Sequence, residues 1–548
     1  MTNCTRRTSK FLLDTWQDRR GSAEEKYVVV VEDNPELIQS LAKRVDGLER
    51  ENKILREENA LLKKWRFGRS SERIEPGQLT LFEDGLAPPT EQANEAEAPR
   101  RSGRKKTRGH GREPFPEHLP REVIRLELAE KECSCSCCGT ALVEIGVDVT
   151  ERGHFVPARI IVHRYERPKY ACPHGHEVRS PQLPPGVTEK AKYEASVYAH
   201  IAVSKYTDHV PLHRLQGIFK RHGVPISKQL MWDMLVVVDE LVAQPVLAAM
   251  RGELLKEDVL HADETPVRLR VEGKKGSSTS YVWGWRSLAE SESPKVLVEF
   301  RENRSRAGPM NFLGDWSGTL IADGYSGYDE VCRRNSIVRA GCWAHARRKL
   351  KEAWDTGAKD AEAPLRLVNR FFRLERAVNK RAKARQMNRA SHLELRARVR
   401  NRRSRLLVEK IHEVSNEIER KASTLPKSKL GKAISYLANQ AKPLGVALGD
   451  PRIPIHNNDQ ERDIRHIVTG RKNWLLFASP RGGAVACRLY SLVLSCLQNG
   501  VDPEDYFEDV LMAVATTPHA ELASLTPWGW AAARSARTKA EQPGTTVV

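Results

Sequence analysis

No apolar run in the 548-residue sequence approaches the ~18 residues that a membrane-spanning helix needs. The most apolar early stretch, Tyr27-Val28-Val29-Val30-Val31, is too short for a signal-peptide core and runs into acids. A helical membrane protein is therefore excluded, and a soluble, cytoplasmic chain is expected. Evenly spaced cysteines are also lacking. Four of the ten fall in Cys133-Ser134-Cys135-Ser136-Cys137-Cys138 and the others are scattered, which is unlike a secreted disulfide scaffold and favours a metal site. Acids are in short supply: 71 Asp plus Glu face 90 Lys plus Arg, leaving +19. Such an excess points to a polyanionic partner, most simply nucleic acid. A hydrophobic content of 40% supplies real cores, so the chain is not disordered as a whole. Its length predicts about three to five folded units.

From Glu36 to Lys64 leucines recur every seventh position, at Leu41, Leu48, Leu55 and Leu62. Placing them at d puts Ile38, Val45, Asn52 and Asn59 at a, where two buried asparagines would fix register in a parallel dimer. The facing g and e positions pair Arg44 with Glu49, Glu51 with Arg56, and Glu58 with Lys63, all opposite in sign. A coiled coil over 36–66, dimeric or higher, is expected; one long helix packed on its own domain is the alternative. Residues 67–118 read as a linker. Within it, residues 100–112 carry seven Lys or Arg and no acid, among them Arg104, Lys105, Lys106 and Arg108. Such a run is either a solvated linker or an arm that binds DNA phosphates without needing a fold.

Cys135-x-x-Cys138 followed by Gly139 has the form of a zinc knuckle. The second half of a tetrahedral set is sought in Cys172-Pro173-His174-Gly175-His176, with Cys172 and either His176 or His174 as ligands. Cys133 and Cys137 are spare thiols. Between the pairs, Ala158 to Arg164 reads as the clearest strand of a basic ribbon, and the module spans 119–190. Residues 191–250 read as helices: Leu212, Leu215 and Phe219 form a stripe, Gly223 ends it, and Ser227 caps the next helix. That pattern suits a helix-turn-helix and any helical hairpin equally.

Two apolar strands end in acids and a breaker: Val259-Leu260-His261-Ala262-Asp263-Glu264-Thr265-Pro266, stopped by Pro266, and Thr319-Leu320-Ile321-Ala322-Asp323-Gly324. Tyr281–Trp285 and Lys295–Phe300 look like partner strands. An acid at the end of a buried strand is costly unless paired or metal-bound, so two such strands point to a shared cation. A third acid comes from a helix starting near Asn458, with Ile464, Ile467 and Val468 as its buried stripe. At 100° per residue, Glu461 lies about 70° from the stripe centre, Asp463 about 90° and Asp459 about 130°. Glu461 is the acid expected to point inward. Two aspartates and a glutamate holding Mg²⁺ are equipment for phosphodiester chemistry.

These motifs resemble, in order and rough spacing, the insertion sequence 66 family of bacterial transposases with its DDE catalytic domain. The matching segments are Leu260–Val267, Ala322–Tyr328, Gly341-Cys342-Trp343-Ala344-His345 with Ala346–Lys349, Asn457-Asn458 with Glu461-Arg462, and Gly470-Arg471-Lys472-Asn473-Trp474. The zipper, the cysteine module and Ser204-Lys205-Tyr206 with Asp208–Leu212 agree as well. The resemblance implies a multidomain α+β chain with a ribonuclease-H-like α/β core in two parts, 251–350 and 451–500, and a helical tail over 501–548. Asp263, Asp323 and Glu461 would be the catalytic, Mg²⁺- or Mn²⁺-binding triad. Arg471 and Lys472 would contact phosphates, Cys342 and His345 would match a Cys-x-x-His signature with an accessory role, and zinc would sit in the cysteine module. Residues 351–450 would be a helical insertion. Within 366–421 it has 18 Lys or Arg against 6 Glu, a net +12 that suits DNA. The implied partners are element ends, target DNA, further copies of the chain and accessory proteins encoded by the same element. No membrane is implied, and a nucleoid association is expected. Two departures stand out: His456 where relatives have Asp, and Cys172 with histidines where they have Cys-x-x-Cys. Two rival readings follow: a ribonuclease-H-like nuclease without strand transfer, and a transposase-derived DNA-binding regulator with an inactive core.

Overall fold

The structure is a computed structural model that describes residues 35–67, 121, 123, 159–171, 178–189, 191–271, 273, 276–421 and 425–541. The chain divides into two units. One comprises 1–73, 347–367 and 410–438; the other comprises 74–346, 368–409 and 439–548. The segment 351–450 is thus shared between them.

In the first unit, helix α1 (Pro35–Phe67) runs through the whole heptad segment. Its leucines Leu41, Leu48, Leu55 and Leu62 stay 52–60% exposed. Val45, Leu48 and Asn52, at successive a and d positions, line a cavity of about 870 Å³ whose other wall is Thr356–Asp360, Ser428 and Leu430. The backbone N–H of Lys429 donates to Glu57 at 3.2 Å.

The second unit begins with an antiparallel pair of two-residue strands, β1 (Tyr170–Ala171) and β2 (Val178–Arg179). The strand expected over Ala158–Arg164 does not form: described residues 159–169 carry none. Ile161 and Val162 are 67% and 84% exposed, and of this apolar run Ile160 alone packs against the core. Helices α2 (Ala195–Tyr206), α3 (Leu212–Arg221), α4 (Lys228–Val238) and α5 (Gln244–Leu254) follow. Leu215 and Phe219 are buried, Gly223 turns the chain at φ +82°, and the Ser227 hydroxyl caps α4 by accepting from Leu230 N–H at 3.1 Å.

A mixed five-stranded sheet forms from β3 (Val259–Arg270), β4 (Ser277–Ser287), β5 (Val296–Arg301), β6 (Thr319–Ala322) and β7 (Val338–Gly341), in the order β5-β4-β3-β6-β7. β3, β4 and β5 are antiparallel; β6 and β7 run parallel to β3. Pro266 does not stop β3 as expected. Arg268 C=O and Arg270 N–H point away from β4, to Phe477. By the alternation of a strand, the Pro266 nitrogen points the same way, so its missing N–H costs no bond to β4.

Helices α6 (Ala307–Leu313) and α7 (Asp329–Arg334) flank the parallel strands, and α8 (Trp343–Asp355) starts directly after β7. The inserted segment is helical: α9 (Glu362–Ala384), α10 (Arg389–Val399), α11 (Arg405–Arg420), α12 (Lys429–Asn439) and α13 (Ala441–Gly449). Helix α14 (Asn458–Trp474) lies on the sheet where Gly284 leaves room: a Cβ there would come within 2.0 Å of Gln460 Nε2. Helix α15 (Pro480–Gln498) closes the β5 edge, where Ser491 and Ser495 hydroxyls accept from Val298 and Val296 N–H at 2.8 and 3.1 Å. The tail is helical in α16 (Pro503–Ala513) and α17 (Pro527–Glu541).

Candidate active site

Strand register places Asp263 and Asp323 on neighbouring strands. β3 pairs with β6 as Val259 with Thr319, Leu260 with Leu320 and His261 with Ile321. Continued by two residues, the same offset sets Asp263 opposite Asp323. β6 ends at Ala322, so β3 loses its neighbour there, and the Ala262 carbonyl accepts instead from Asn457 Nδ2 at 2.8 Å. Asn457 Oδ1 lies 2.7 Å from His261 Nδ1. Since the Asn457 amide nitrogen is already donating, His261 Nδ1 carries the proton in that bond. Burial, with the Arg286 charge next, pushes the His261 ring down to about 4, so it is neutral at pH 7. Asn457 therefore fixes the start of α14 to β3 directly before Asp263.

Glu461 lies in the first turn of α14. Burial first, and then the charges of Glu264, Glu461 and Asp323, push the Asp263 carboxyl well above the usual carboxylate range. All three expected acids thus share one electrostatic neighbourhood. Asp263 Oδ1 accepts from Glu264 N–H at 3.0 Å within β3, and Asp323 Oδ1 accepts from Tyr325 N–H at 2.9 Å in the turn after β6. Among the described residues, the donor atoms that lie within 4.8 Å of one another are those of Cys342, His345 and Glu461. The expected accessory pair therefore borders the same glutamate.

The helical-wheel ranking needs correction. Asp463, not Glu461, is the most deeply buried of the acids on α14, at 3% exposure. It is spent on structure: Arg286 Nη1 donates to it at 2.8 Å and Gln498 Nε2 at 2.9 Å. Burial pushes the Asp463 carboxyl up to about 6, against the pull of Arg286. Glu461 keeps some exposure.

Several residues with roles here had no distinct sequence signal. Glu264 directly follows Asp263, but its carboxylate is held by Tyr328 OH at 2.9 Å and Arg304 Nε at 2.8 Å. Arg304 in turn lies 3.8 Å over the Tyr325 ring. Tyr325 and Tyr328 belong to the motif after Asp323; nothing in the sequence singled out Arg304. His456 stacks on Phe372 with an interplanar angle of 2°, and Asn458 N–H donates to its Nδ1 at 3.4 Å. Histidine thus supplies the acceptor that an aspartate would offer at this helix start. Of the expected phosphate contacts, Arg471 donates to the Pro266 carbonyl and Lys472 is exposed. The expected ligands Cys135, Cys138, Cys172 and His176, and the arm residues Arg104, Lys105, Lys106 and Arg108, lie outside the described residues.

Comparison with known proteins decides the family. Residues 190–485, more than half of the chain and all of the site just described, match the family described as "Transposase IS66 family". The chain belongs to this transposase family. Three further matches place other parts of the transposase: residues 54–124 with "Transposase C of IS166 homeodomain", 132–174 with "zinc-finger binding domain of transposase IS66", and 491–528 with "IS66 C-terminal element". The zinc-finger match supports zinc and spans Cys135, Cys138, Cys172 and His174, ending before His176. The transposase is 31% identical over 436 residues to uncharacterized protein y4qI of Sinorhizobium fredii, covering 76% of this chain and 77% of the relative. Uncharacterized protein y4jD of the same organism is 28% identical over 527 residues, covering 90% of this chain and 98% of the relative. No helix among the described residues is long and apolar enough to cross a membrane.

Proposed function

We propose that this transposase cuts the ends of its element and joins them to target DNA, using Asp263, Asp323 and Glu461 on a ribonuclease-H-like sheet. The observation that carries the proposal is the register setting Asp263 opposite Asp323, with Glu461 in their field. The strand order, antiparallel through β3–β5 and parallel through β6 and β7, supports the fold reading. The residues fit a divalent cation: a buried aspartate crowded by three other carboxylates has an unfavourable charge that a cation offsets. Mg²⁺ or Mn²⁺ held there would activate the attacking oxygen and stabilise the leaving one. Asp263 within β3 and Asp323 just past the end of β6 would present oxygens side by side, and Glu461 would do so from a helix anchored by Asn457. Glu264 is left out of the ligand set because its carboxylate is bonded to Tyr328 and Arg304. Arg471 and Lys472, on the last turn of α14, would contact phosphates.

The remaining assignments belong to the same reading. Cys135, Cys138, Cys172 and His176 would hold zinc; the basic arm and the insertion would track DNA in the bacterial cytoplasm, associated with the nucleoid. The half-exposed leucines of α1, with their opposite-signed g and e positions, support a dimer or higher oligomer. Accessory proteins from the same element would complete the machinery.

The test is a strand-transfer assay with labelled element ends, comparing the parent with Asp263→Asn, Asp323→Asn and Glu461→Gln. Each variant is expected to bind ends and yield no cut or joined product. Full strand transfer by any of them refutes that residue's role. Cleavage by the parent without joined product would favour the nuclease reading, and DNA binding with no metal-dependent product the regulator.

A further inference from the structure

Cys342 stands one strand beyond Asp323. The β6–β7 register pairs Ala322 with Gly341, and its continuation sets Asp323 beside Cys342. The thiol is fully buried at the start of α8 and accepts from Asn457 N–H at 3.2 Å. The segment is pinned: Trp343 N–H donates to Ile455 C=O at 2.9 Å, and the Trp343 indole donates to Leu444 C=O at 3.0 Å. On one side of this fixed sulfur are the His345 ring and the Glu461 carboxylate, whose Nδ1 and Oε1 are 3.9 Å apart. One donor atom from each of the three residues lies within 4.8 Å of the other two.

A packed cysteine at a helix start needs neither an imidazole nor a carboxylate converging on it. Ligands of a tetrahedral zinc lie roughly 3.3–3.8 Å apart, from metal–ligand bonds of about 2.0–2.3 Å. Small rotations of His345 and Glu461, both partly exposed, close the set around the immobile sulfur. Thiolate with imidazole selects a zinc-like cation and is poor equipment for Mg²⁺. Three protein ligands also leave one position open, as in zinc sites that exchange or bind a further group.

We infer that Cys342, His345 and Glu461 form a binding site for a thiophilic divalent cation, zinc above all, separate from the cysteine module around Cys135. Occupancy holds Glu461 toward α8 and so competes with Asp263 and Asp323 for the same carboxylate. That second consequence rests on the role proposed for Glu461; the site itself does not.

Cobalt(II) is the probe, because a bound thiolate gives it a near-ultraviolet charge-transfer band that reports sulfur ligation. Full-length protein stripped of metal is titrated alongside Cys342→Ser and His345→Ala, with Cys135→Ser as the comparison at a different thiolate. Cys342→Ser is expected to bind one cobalt fewer per chain than the parent. His345→Ala is expected to weaken that equivalent by roughly tenfold or more. Equal stoichiometry and band intensity in the parent and Cys342→Ser overturns the site. Should Cys342→Ser fail to fold, unchanged cobalt affinity in His345→Ala overturns it. Zinc inhibition of Mg²⁺-supported strand transfer, scaled to each protein's own rate, is expected to weaken by roughly tenfold in His345→Ala. If Glu461→Gln retains full activity, the role proposed for Glu461 falls while the cobalt result still decides the site.

Discussion

Replacing Arg286 with Met separates the structural acid of α14 from the acid proposed to bind metal. Arg286 and Asp463 are 1% and 2% exposed in their side chains and meet at 2.8 Å. Arg286 Nε also donates to the Ser287 carbonyl at 3.1 Å, and Gln498 supplies the other Asp463 oxygen. Without the guanidinium, Asp463 is left as a buried carboxylate with one neutral partner. Breaking a buried pair in this way costs about 3–5 kcal/mol. The carboxyl can escape by taking up a proton, and that sets the pH dependence. Burial already holds it at about 6 with Arg286 present, and losing the opposing charge moves it higher still. A folded-state value above the unfolded one, about 3.9, means that the folded protein binds the proton more tightly. Acidification therefore stabilises. In the parent this gain develops as pH falls from above 6 toward 4; in Arg286→Met it starts at higher pH.

The penalty of Arg286→Met should accordingly shrink between pH 8 and 6, by at most ~1.4 kcal/mol per unit, and flatten once the parent also takes up the proton. Urea unfolding of both proteins across that range, followed by circular dichroism, measures it. A double variant, Arg286→Met with Asp463→Leu, removes both charges and should recover most of the loss. A penalty independent of pH, or a double variant as unstable as the single one, would show that Arg286 acts through packing and refute the electrostatic account.

Three further outcomes are expected. In chelator, Asp263→Asn should melt at a higher temperature than the parent at neutral pH, because a carboxyl raised by burial and neighbouring acids destabilises the fold while ionised. The gain should vanish in acid, and calorimetry with and without Mg²⁺ checks both signs. Gly284→Ala should destabilise by about 1–3 kcal/mol and reduce strand transfer, since its methyl group would displace Gln460 and with it α14. Adding Gln460→Ala should restore both if that contact is the cause. Arg373, Lys380, Arg402 and Arg403 are exposed. Changing the four to Glu should lower DNA affinity and flatten its salt dependence by roughly 0.9 per lost phosphate contact, as read from binding at several salt concentrations.

Asp263 and Asp323 stood out in the sequence because each follows an apolar run, where an unpaired charge is costly, although β3 runs on past Asp263 to Arg270. The helix start near Asn458 was legible for a similar local reason, a polar cluster before an apolar stripe. What failed were inferences about direction. Pro266 looked like a stop because sequence does not show which way its nitrogen points; only the Phe477 bridge reveals that side. The ranking of Glu461 over Asp463 assumed one buried face. Helix α14 instead has two: Gln460 and Ile464 meet Gly284, while Asp463 is buried against Arg286 and Gln498. A periodicity argument averages over both and cannot separate a partly exposed acid from a salt-bridged one.

Counting charges failed differently. The arm over 100–112 and the segment 366–421 together equal the whole +19, so the segment reads as a uniform DNA-tracking surface. Two of its arginines are not on any surface. Arg400 is 1% exposed, its Nε and Nη2 held by Glu375 at 2.9 and 2.8 Å, and it donates to the carbonyls of Asp450 and Ile453 at 3.0 and 2.9 Å. Arg396 donates to the Pro451 carbonyl at 3.0 Å and to Glu290 at 3.0 Å. Both therefore fasten the inserted helices to the stretch 450–453, a few residues before Asn457 and Glu461. Planar guanidinium groups suit this work because each can donate to several carbonyls at once at such a crossing. Part of the positive charge thus serves the geometry of the acids rather than a DNA partner. Substitutions at Arg396 or Arg400 should therefore lower stability and disturb Glu461, while leaving the salt dependence of DNA binding as it was.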